Sequence, residues 1–97
     1  MEVSFDRVDG RLTITVSGRL DTSTAPQLEK DVSAQLTDDV TNAVFDFDNL
    51  EYISSAGLRI VIMTVQRLNG QVKVRNVNDE VLEVFEITGL TKVLGIN

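Results

Sequence analysis

The sequence predicts an α/β domain with a mixed, mostly parallel sheet of about five strands, an N-terminal hairpin and packed amphipathic helices. Three observations lead to this prediction. Stretches with the two-residue apolar period of strands recur, stretches with helical periodicity separate most of them, and the length of 97 residues suits one core. Because strands that alternate with helices are joined by right-handed crossovers, most strand pairs should be parallel. We therefore expect a single domain over residues 1–97.

Two alternating stretches at the start of the chain predict a β-hairpin. They meet at Asp9-Gly10, a dipeptide typical of tight hairpin turns. The apolar positions are Val3, Phe5 and Val8 before the turn and Leu12, Ile14 and Val16 after it. One face of each strand is therefore apolar and the other is polar.

A first helix is predicted to begin near Thr24. Thr24 and Gln27 match the spacing of a capping box, and Pro26 suits a first helical turn. The apolar stripe of this helix consists of Leu28, Val32 and Leu36. Since these positions recur every four residues, they are typical of an amphipathic helix, which should end near residues 37–39.

The centre of the chain predicts a buried strand followed by a second helix. The strand is Ala43–Phe47, and Asp48-Asn49 ends it. Residues 50–53 lead on to Ser54-Ser55-Ala56-Gly57, where the second helix begins. The apolar face of this helix consists of Leu58, Val61, Ile62, Val65 and Leu68.

Two more strands and a third helix complete the prediction. Asn69-Gly70 ends the second helix, and the next strand contains Val72, Val74 and Val77. The third helix starts at Asn78-Asp79-Glu80, where negative charge suits the positive end of the helix dipole, and ends at Thr88-Gly89-Leu90. A short final strand is predicted from Val93, Leu94 and Ile96.

The composition excludes several classes of function. A formal net charge of −6 argues against a nucleic-acid partner, because phosphate backbones need Lys and Arg to neutralise them. The chain has no cysteine and no histidine, which removes disulfides, Cys/His metal sites and Ser-His-Asp catalysis. The longest apolar stretch, residues 60–63, is too short to insert into a membrane, and no signal peptide is recognisable. We expect a cytoplasmic protein.

Ser54-Ser55-Ala56-Gly57 is the most informative segment, because it lies where a strand passes into a helix. Partners and ligands of open α/β sheets meet the carboxyl ends of the strands, and a helix start favours negative charge. A phosphate on one of the two serines would interact favourably with the partial positive charge at the helix start. The alternative is that one serine only caps the helix, and the segment by itself favours that cap.

The wider sequence resembles the STAS domain, and within it the anti-sigma-factor antagonists. The resemblance covers nearly the whole chain. It depends most on Tyr52-Ile53-Ser54-Ser55-Ala56-Gly57-Leu58 and on Ser17-Gly18-Arg19-Leu20-Asp21 upstream. Further matching positions are Thr24-Ala25, Leu28, Val44-Phe45-Asp46-Phe47, Phe85 and Thr88-Gly89-Leu90.

The resemblance implies a phosphoacceptor at Ser55. In this family the accepting serine often follows an aspartate in Asp-Ser-Ser/Thr-Gly-Leu, and alignment on Gly57-Leu58 places it at Ser55. The sequence departs from that pattern, because Ser54 replaces the aspartate and Ala56 replaces the following Ser or Thr. Ser54 is therefore the second choice for the phosphoacceptor. The resemblance also places Asp21 near the surface that faces a partner, although an aspartate there also suits a turn or a helix entry.

The remaining polar candidates have simpler interpretations. Arg59 lies four residues after Ser55 on the same helical face and could pair with a phosphate, contact a partner or remain solvated. Asp46 and Asp48 lack a third metal ligand, so we favour a structural or solvated role, and Tyr52 is interpreted as a packing residue. The expected partner-binding residues are Asp21, Ser54, Ser55, Ala56, Gly57 and Arg59, with no catalytic and no metal site.

The implied function is a binding module that is not an enzyme. The unphosphorylated protein would bind an anti-sigma factor, often itself a serine kinase, and thereby release a sigma factor. The kinase would phosphorylate Ser55, and a serine phosphatase would reverse this. ATP and magnesium belong to the kinase, so this chain needs no cofactor. The alternative is a STAS adaptor or subunit of a transporter or sensory assembly.

Overall fold

The computed structural model describes residues 1–94, except the side chains of residues 92 and 93. Nine elements follow one another in this range. They are β1 (Glu2–Val8), β2 (Arg11–Leu20), α1 (Ala25–Gln35), β3 (Asn42–Asp46), β4 (Leu50–Ile53), α2 (Ser55–Arg67), β5 (Val72–Arg75), α3 (Asp79–Ile87) and α4 (Thr91–Leu94). No helix among the described residues is long and apolar enough to cross a membrane.

The strands form one mixed sheet, as the sequence predicts. Its order is β1-β2-β3-β5, and β4 pairs separately with the end of β2. β1 is antiparallel to β2, whereas the β2–β3, β2–β4 and β3–β5 pairs are parallel. The hairpin turn is also confirmed, because Asp9 (φ 50°) and Gly10 (φ 87°) both have the positive φ of a type I′ turn.

One predicted strand is wrong, and one strand that the structure contains was not predicted. Residues 91–94 form α4, in which the Leu94 amide donates to the Leu90 carbonyl at 3.0 Å, while Ile96 lies outside the described residues. The fifth strand is instead β4, which has buried residues only at its two ends, Leu50 and Ile53. Four residues are too few for a period to distinguish strand from helix, so pairing with β2 decides the structure of β4.

The core lies between one face of the sheet and the helices. Along β2, Leu12, Ile14 and Val16 are fully buried, while the residues between them are half-buried. Three phenylalanines extend this core towards α3, with ring centroids 5.5 Å apart for Phe45–Phe47 and 6.3 Å apart for Phe47–Phe85. α3 therefore packs against the carboxyl end of β3.

α3 is attached to β4 through a cap that serves both elements. The side chain of Asn78 accepts a hydrogen bond from the Val81 amide at 2.8 Å and donates one to the Leu50 carbonyl at 2.9 Å. The predicted start of the third helix is confirmed, with Asn78 as its N-cap. Because the amide of Asn78 binds strand and helix together, α3 supports the strand that leads into the candidate site.

Candidate functional site

The junction between β4 and α2 is fixed by the backbone of Ser54. The Ser54 amide donates to the Leu20 carbonyl at 2.8 Å, which extends the β2–β4 pairing by one residue. Ser54 has extended backbone angles and is the N-cap of α2, where its Oγ accepts from the Gly57 amide at 3.3 Å. The cap interpretation is therefore correct for Ser54, and its hydroxyl is engaged.

Ser55 differs from its neighbour Ser54 in exposure and in side-chain hydrogen bonding. It is the first residue of α2 and it is exposed, whereas Ser54 is half-buried. Within residues 1–94, no side-chain hydrogen bond involves the Ser55 hydroxyl, while the Ser54 hydroxyl receives one. The structure thus presents one free and one engaged hydroxyl at the start of the same helix.

Gly57 holds this helix start against the sheet. It is buried, and a Cβ added to it would lie 2.6 Å from Leu20 Cγ and 2.9 Å from Ile53 Cγ1. Any side chain at this position would push α2 away from β2 and β4. Gly57 therefore positions Ser54 and Ser55 and presents no side chain of its own, whereas Ala56 is half-buried at the surface.

Asp21 organises the turn that follows β2. Its Oδ1 accepts from the Ser23 hydroxyl at 2.7 Å, the Ser23 amide at 3.0 Å and the Thr24 amide at 3.1 Å. The hydrogen bonds from Ser23 and Thr24 hold the pKa of the Asp21 carboxyl below its ordinary value of 3.8, the Ser23 hydroxyl having the largest effect. The turn interpretation of Asp21 is correct, and its role towards a partner remains a prediction.

The predicted capping box at the start of α1 is wrong. Thr24 makes no side-chain cap, because its Oγ1 instead accepts from the Asp21 amide at 2.9 Å and donates to the Arg19 carbonyl at 2.9 Å. The side chain of Gln27 donates to Asp31 Oδ1 at 2.9 Å, one turn further along the helix. The Asp21 carboxylate instead accepts from the amides of Ser23 and Thr24, in the turn just before α1.

The two segments singled out in the sequence meet in the structure. Leu20 is paired with Ile53 across the parallel strands β2 and β4, so the Asp21 turn and the Ser54-Ser55 loop emerge side by side. Both lie at the carboxyl end of the sheet, where partners and ligands of such folds bind. Arg59 is exposed one helical turn beyond Ser55.

Arg19 and Tyr52 are surface residues that sequence reasoning missed. Tyr52 is 42% exposed, so it packs at the surface and does not belong to the buried core. The Arg19 guanidinium carbon lies 4.4 Å above the centroid of the Tyr52 ring, a cation–π contact on the surface. The parallel register that joins these two residues depends on β4, which the sequence did not reveal as a strand.

Asp46, at the end of β3, has a structural role. Asp46 pairs with Arg75 at 3.3 Å and accepts hydrogen bonds from the Asn76 side chain at 3.2 Å and the Asp48 amide at 3.1 Å. Within residues 1–94, no group of three or more acidic side chains is placed to hold a metal ion. Asp46 therefore stabilises the end of the sheet.

A substitution series at Asp21 separates its carboxylate charge from its hydrogen bonding. We expect Asp21→Ala to lower the free energy of unfolding more than Asp21→Asn, since asparagine keeps an oxygen that accepts from Ser23 and Thr24. The folded-state pKa of Asp21 is lowered, so its stabilising effect is complete above the unfolded pKa of about 3.9 and is lost as the pH falls through the folded value.

Urea denaturation at about pH 7, 5 and 3.5 checks this prediction. The stability difference between wild type and Asp21→Ala should be largest at pH 7 and should shrink towards pH 3.5. A difference that stays constant with pH would show that the carboxylate charge of Asp21 does not stabilise the turn. Asp21→Asn is the matched control, because it changes the charge and keeps the shape.

Two sequence comparisons match this chain to known proteins over nearly its whole length. The sequence profile of the STAS domain matches residues 2–97. The proposed anti-sigma factor antagonist BtrV of Bordetella bronchiseptica is 33% identical over 99 residues, which cover 99% of this chain and 85% of BtrV. The match extends over nearly the whole of this chain and most of BtrV.

Solved structures show the same fold. An anti-sigma factor antagonist from Mycobacterium paratuberculosis superposes with a TM-score of 0.87 at 28% identity, covering 98% of this chain and 83% of that protein. The anti-sigma factor antagonist SpoIIAA in its unphosphorylated form gives a TM-score of 0.86 at 20% identity, covering 99% and 88%. The phosphorylated form of SpoIIAA, a Bacillus cell fate determinant, superposes with a TM-score of 0.78 at 19% identity, covering 99% of this chain and 91% of that protein.

Proposed function

Because this chain belongs to the STAS domain family, we propose that it is an anti-sigma factor antagonist switched by phosphorylation of Ser55. The observation that carries this proposal is the exposed hydroxyl of Ser55 at the first residue of α2, which takes part in no side-chain hydrogen bond among the described residues. The 33% identity to BtrV supports the choice of this role over that of a transporter subunit. The place of action would be the cytoplasm, where sigma factors act.

The surface that would meet the anti-sigma factor combines the Asp21 turn with the start of α2. Ser55, Ala56 and Arg59 contribute exposed or half-buried side chains, and Ser54 contributes its backbone and part of its side chain. Gly57 contributes only through its position, because it is buried. The exposed Arg19–Tyr52 pair lies next to Leu20 and Ile53, which lead into the two loops, and extends this surface.

The switch would be a covalent step carried out by the partner. The Ser55 Oγ attacks the γ-phosphorus of ATP held by the anti-sigma factor kinase, the bond to the β,γ-bridging oxygen breaks, and ADP leaves. A base of the kinase takes the hydroxyl proton, and a serine phosphatase later hydrolyses the Ser55 phosphate ester. This chain therefore acts as a substrate and a binding partner, not as an enzyme, and needs no cofactor of its own.

The charge of the phosphate would act on the interface and leave the fold intact. Phosphorylation adds about −1.5 to −2 charges at pH 7. At the N-terminus of α2 this charge is favourable to the helix, by about 0.3–1 kcal/mol. The same charge is costly where a partner surface covers it and excludes water.

Mapping of the phosphoacceptor tests the proposal. The protein is incubated with the anti-sigma factor kinase of its own organism and Mg-ATP, and the modified residue is located by peptide mass spectrometry. We expect one phosphate on wild type and none on Ser55→Ala. Ser54→Asn is the matched control, because asparagine caps helices as well as serine does but has no hydroxyl. Full modification of Ser55→Ala, or none of wild type, would overturn the proposal.

A further inference from the structure

We propose that Arg59 folds back along α2 and binds the phosphate of phosphorylated Ser55, so that it sets the charge that the modified loop presents. Arg59 would be a positioning residue that holds the phosphate of its own chain. The contact between the guanidinium and the phosphate would form only after Ser55 is modified. This inference rests on the proposed phosphorylation of Ser55. Its test requires only the phosphorylated protein, so that it is independent of any partner.

Helix geometry brings the two side chains together. Ser55 and Arg59 are both exposed and lie four residues apart in α2. Residues at this spacing have Cβ atoms about 5–6 Å apart. Helical side chains also lean towards the N-terminus, so a long side chain at Arg59 covers the surface over the preceding turn, where Ser55 lies.

No acidic residue competes for Arg59 within its own helix. α2 contains two arginines, Arg59 and Arg67, and no Asp or Glu, although the chain as a whole has a net charge of −6. Within residues 1–94, the ion pairs are formed by other arginines, Arg7 with Asp39 and Arg75 with Asp46. The guanidinium of Arg59 is thus available to a new anion.

Arg19, two residues before Asp21, is already engaged. The Arg19 guanidinium lies over the Tyr52 ring at 4.4 Å, and it would have to leave this contact to reach a phosphate. The unmodified Ser55 hydroxyl is neutral, so it exerts no net charge attraction that would hold the Arg59 guanidinium in one position. A phosphate dianion offers the oxygen pair that a guanidinium binds with two parallel hydrogen bonds.

The contact would moderate the switch. A phosphate that is partly neutralised by Arg59 presents less negative charge to an approaching partner than a free phosphate does. The phosphate group would also be held over the first turn of α2 in a defined position. The phosphorylated protein without the Arg59 charge should therefore repel an acidic partner surface more strongly.

The second ionisation of the phosphate reports directly on this contact. The protein is made with phosphoserine at position 55, and the pKa is measured by ³¹P NMR titration. The second pKa of phosphoserine is about 6, and a guanidinium beside the phosphate lowers it because it favours the dianion. We expect Arg59→Gln to raise the phosphate pKa by about half a unit, the size expected for charges roughly 4–5 Å apart in water. This difference should become much smaller in 1 M salt, where the Debye length is about 3 Å.

Two further variants separate the specific contact from general charge. Arg67→Gln removes one positive charge from the same helix, at a position twelve residues after Ser55 and about 18 Å from it along the helix axis. This variant should leave the phosphate pKa unchanged. Arg59→Lys should restore most of the shift, because it keeps the charge. If Arg59→Gln and Arg67→Gln both give the wild-type pKa, the proposal is wrong, whether or not the protein binds an anti-sigma factor.

Discussion

Phosphorylation of Ser55 is expected to weaken binding to the anti-sigma factor about a thousandfold, which corresponds to about 4 kcal/mol. The reason is the cost of removing the hydrated phosphate from water in the interface, which amounts to several kcal/mol and which Arg59 would offset only in part. Ser55 is exposed in the free protein, so the phosphate is hydrated there and loses that hydration only in the complex. The fold should remain, because the charge lies at the start of α2.

Calorimetric titration of the anti-sigma factor with unmodified and phosphorylated protein measures this effect. Ser55→Ala should fold and bind like the unmodified protein, since no side-chain hydrogen bond involves the Ser55 hydroxyl within residues 1–94. Ser55→Asp should bind more weakly, and Ser54→Asp should have a smaller effect, since an aspartate at the N-cap stays half-buried against the helix start. Equal affinities for the phosphorylated and unmodified proteins would show that charge at Ser55 does not control the complex.

Gly57→Ala is expected to lower the free energy of unfolding by about 1–2 kcal/mol. The new Cβ would lie 2.6 Å from Leu20 Cγ, and overpacking of this kind costs about 1–3 kcal/mol. The better helix propensity of alanine opposes this by at most about 1 kcal/mol. For a domain of this length the net change corresponds to a fall in Tm of roughly 4–16 °C, measured by thermal and urea denaturation.

A double-mutant cycle identifies the cause of this loss. Leu20→Ala alone should cost about 2–5 kcal/mol because it leaves a cavity in the core. When Leu20 has been replaced, Gly57→Ala should cost less than it does in wild type, because the nearest atoms have been removed. Ser55→Ala serves as a control for alanine at an exposed position of the same turn. A Gly57→Ala protein that is more stable than wild type would show that the helix start has room for a side chain.

These two predictions distinguish two functions within one short segment. Ser55 is exposed, so its modification should change binding and leave stability intact. Gly57 is buried, so its substitution should change stability first and affect binding through the position of the loop. The segment Ser54-Ser55-Ala56-Gly57 thus contains a cap, the proposed modification site and a packing contact within four residues.

Local sequence determined the elements whose periodicity and turn residues lie within the element itself. The hairpin follows from alternating residues around Asp9-Gly10, and the presence of α2 follows from the apolar spacing after Ser54. The predicted apolar face of α2 is wrong at one position, because Ile62 is exposed and Ile60 is buried. Helical periodicity and turn chemistry act over a few residues, so they can be read without knowledge of the fold. The resemblance of the Ser54–Leu58 and Ser17–Asp21 segments to the STAS domain indicated the family, and the comparisons confirm it.

Only the tertiary structure decided features that depend on contacts between distant segments. β4 is a strand because it pairs with β2, and residues 91–94 are helical although their apolar residues suggested a strand. The same pairing places Arg19 over Tyr52 and Gly57 against Leu20, contacts between residues more than thirty positions apart. Short elements and close packing gain their stability from such long-range contacts, which no local pattern records. The sequence alone therefore identified the serine pair, and the fold decided which serine caps the helix and which is free.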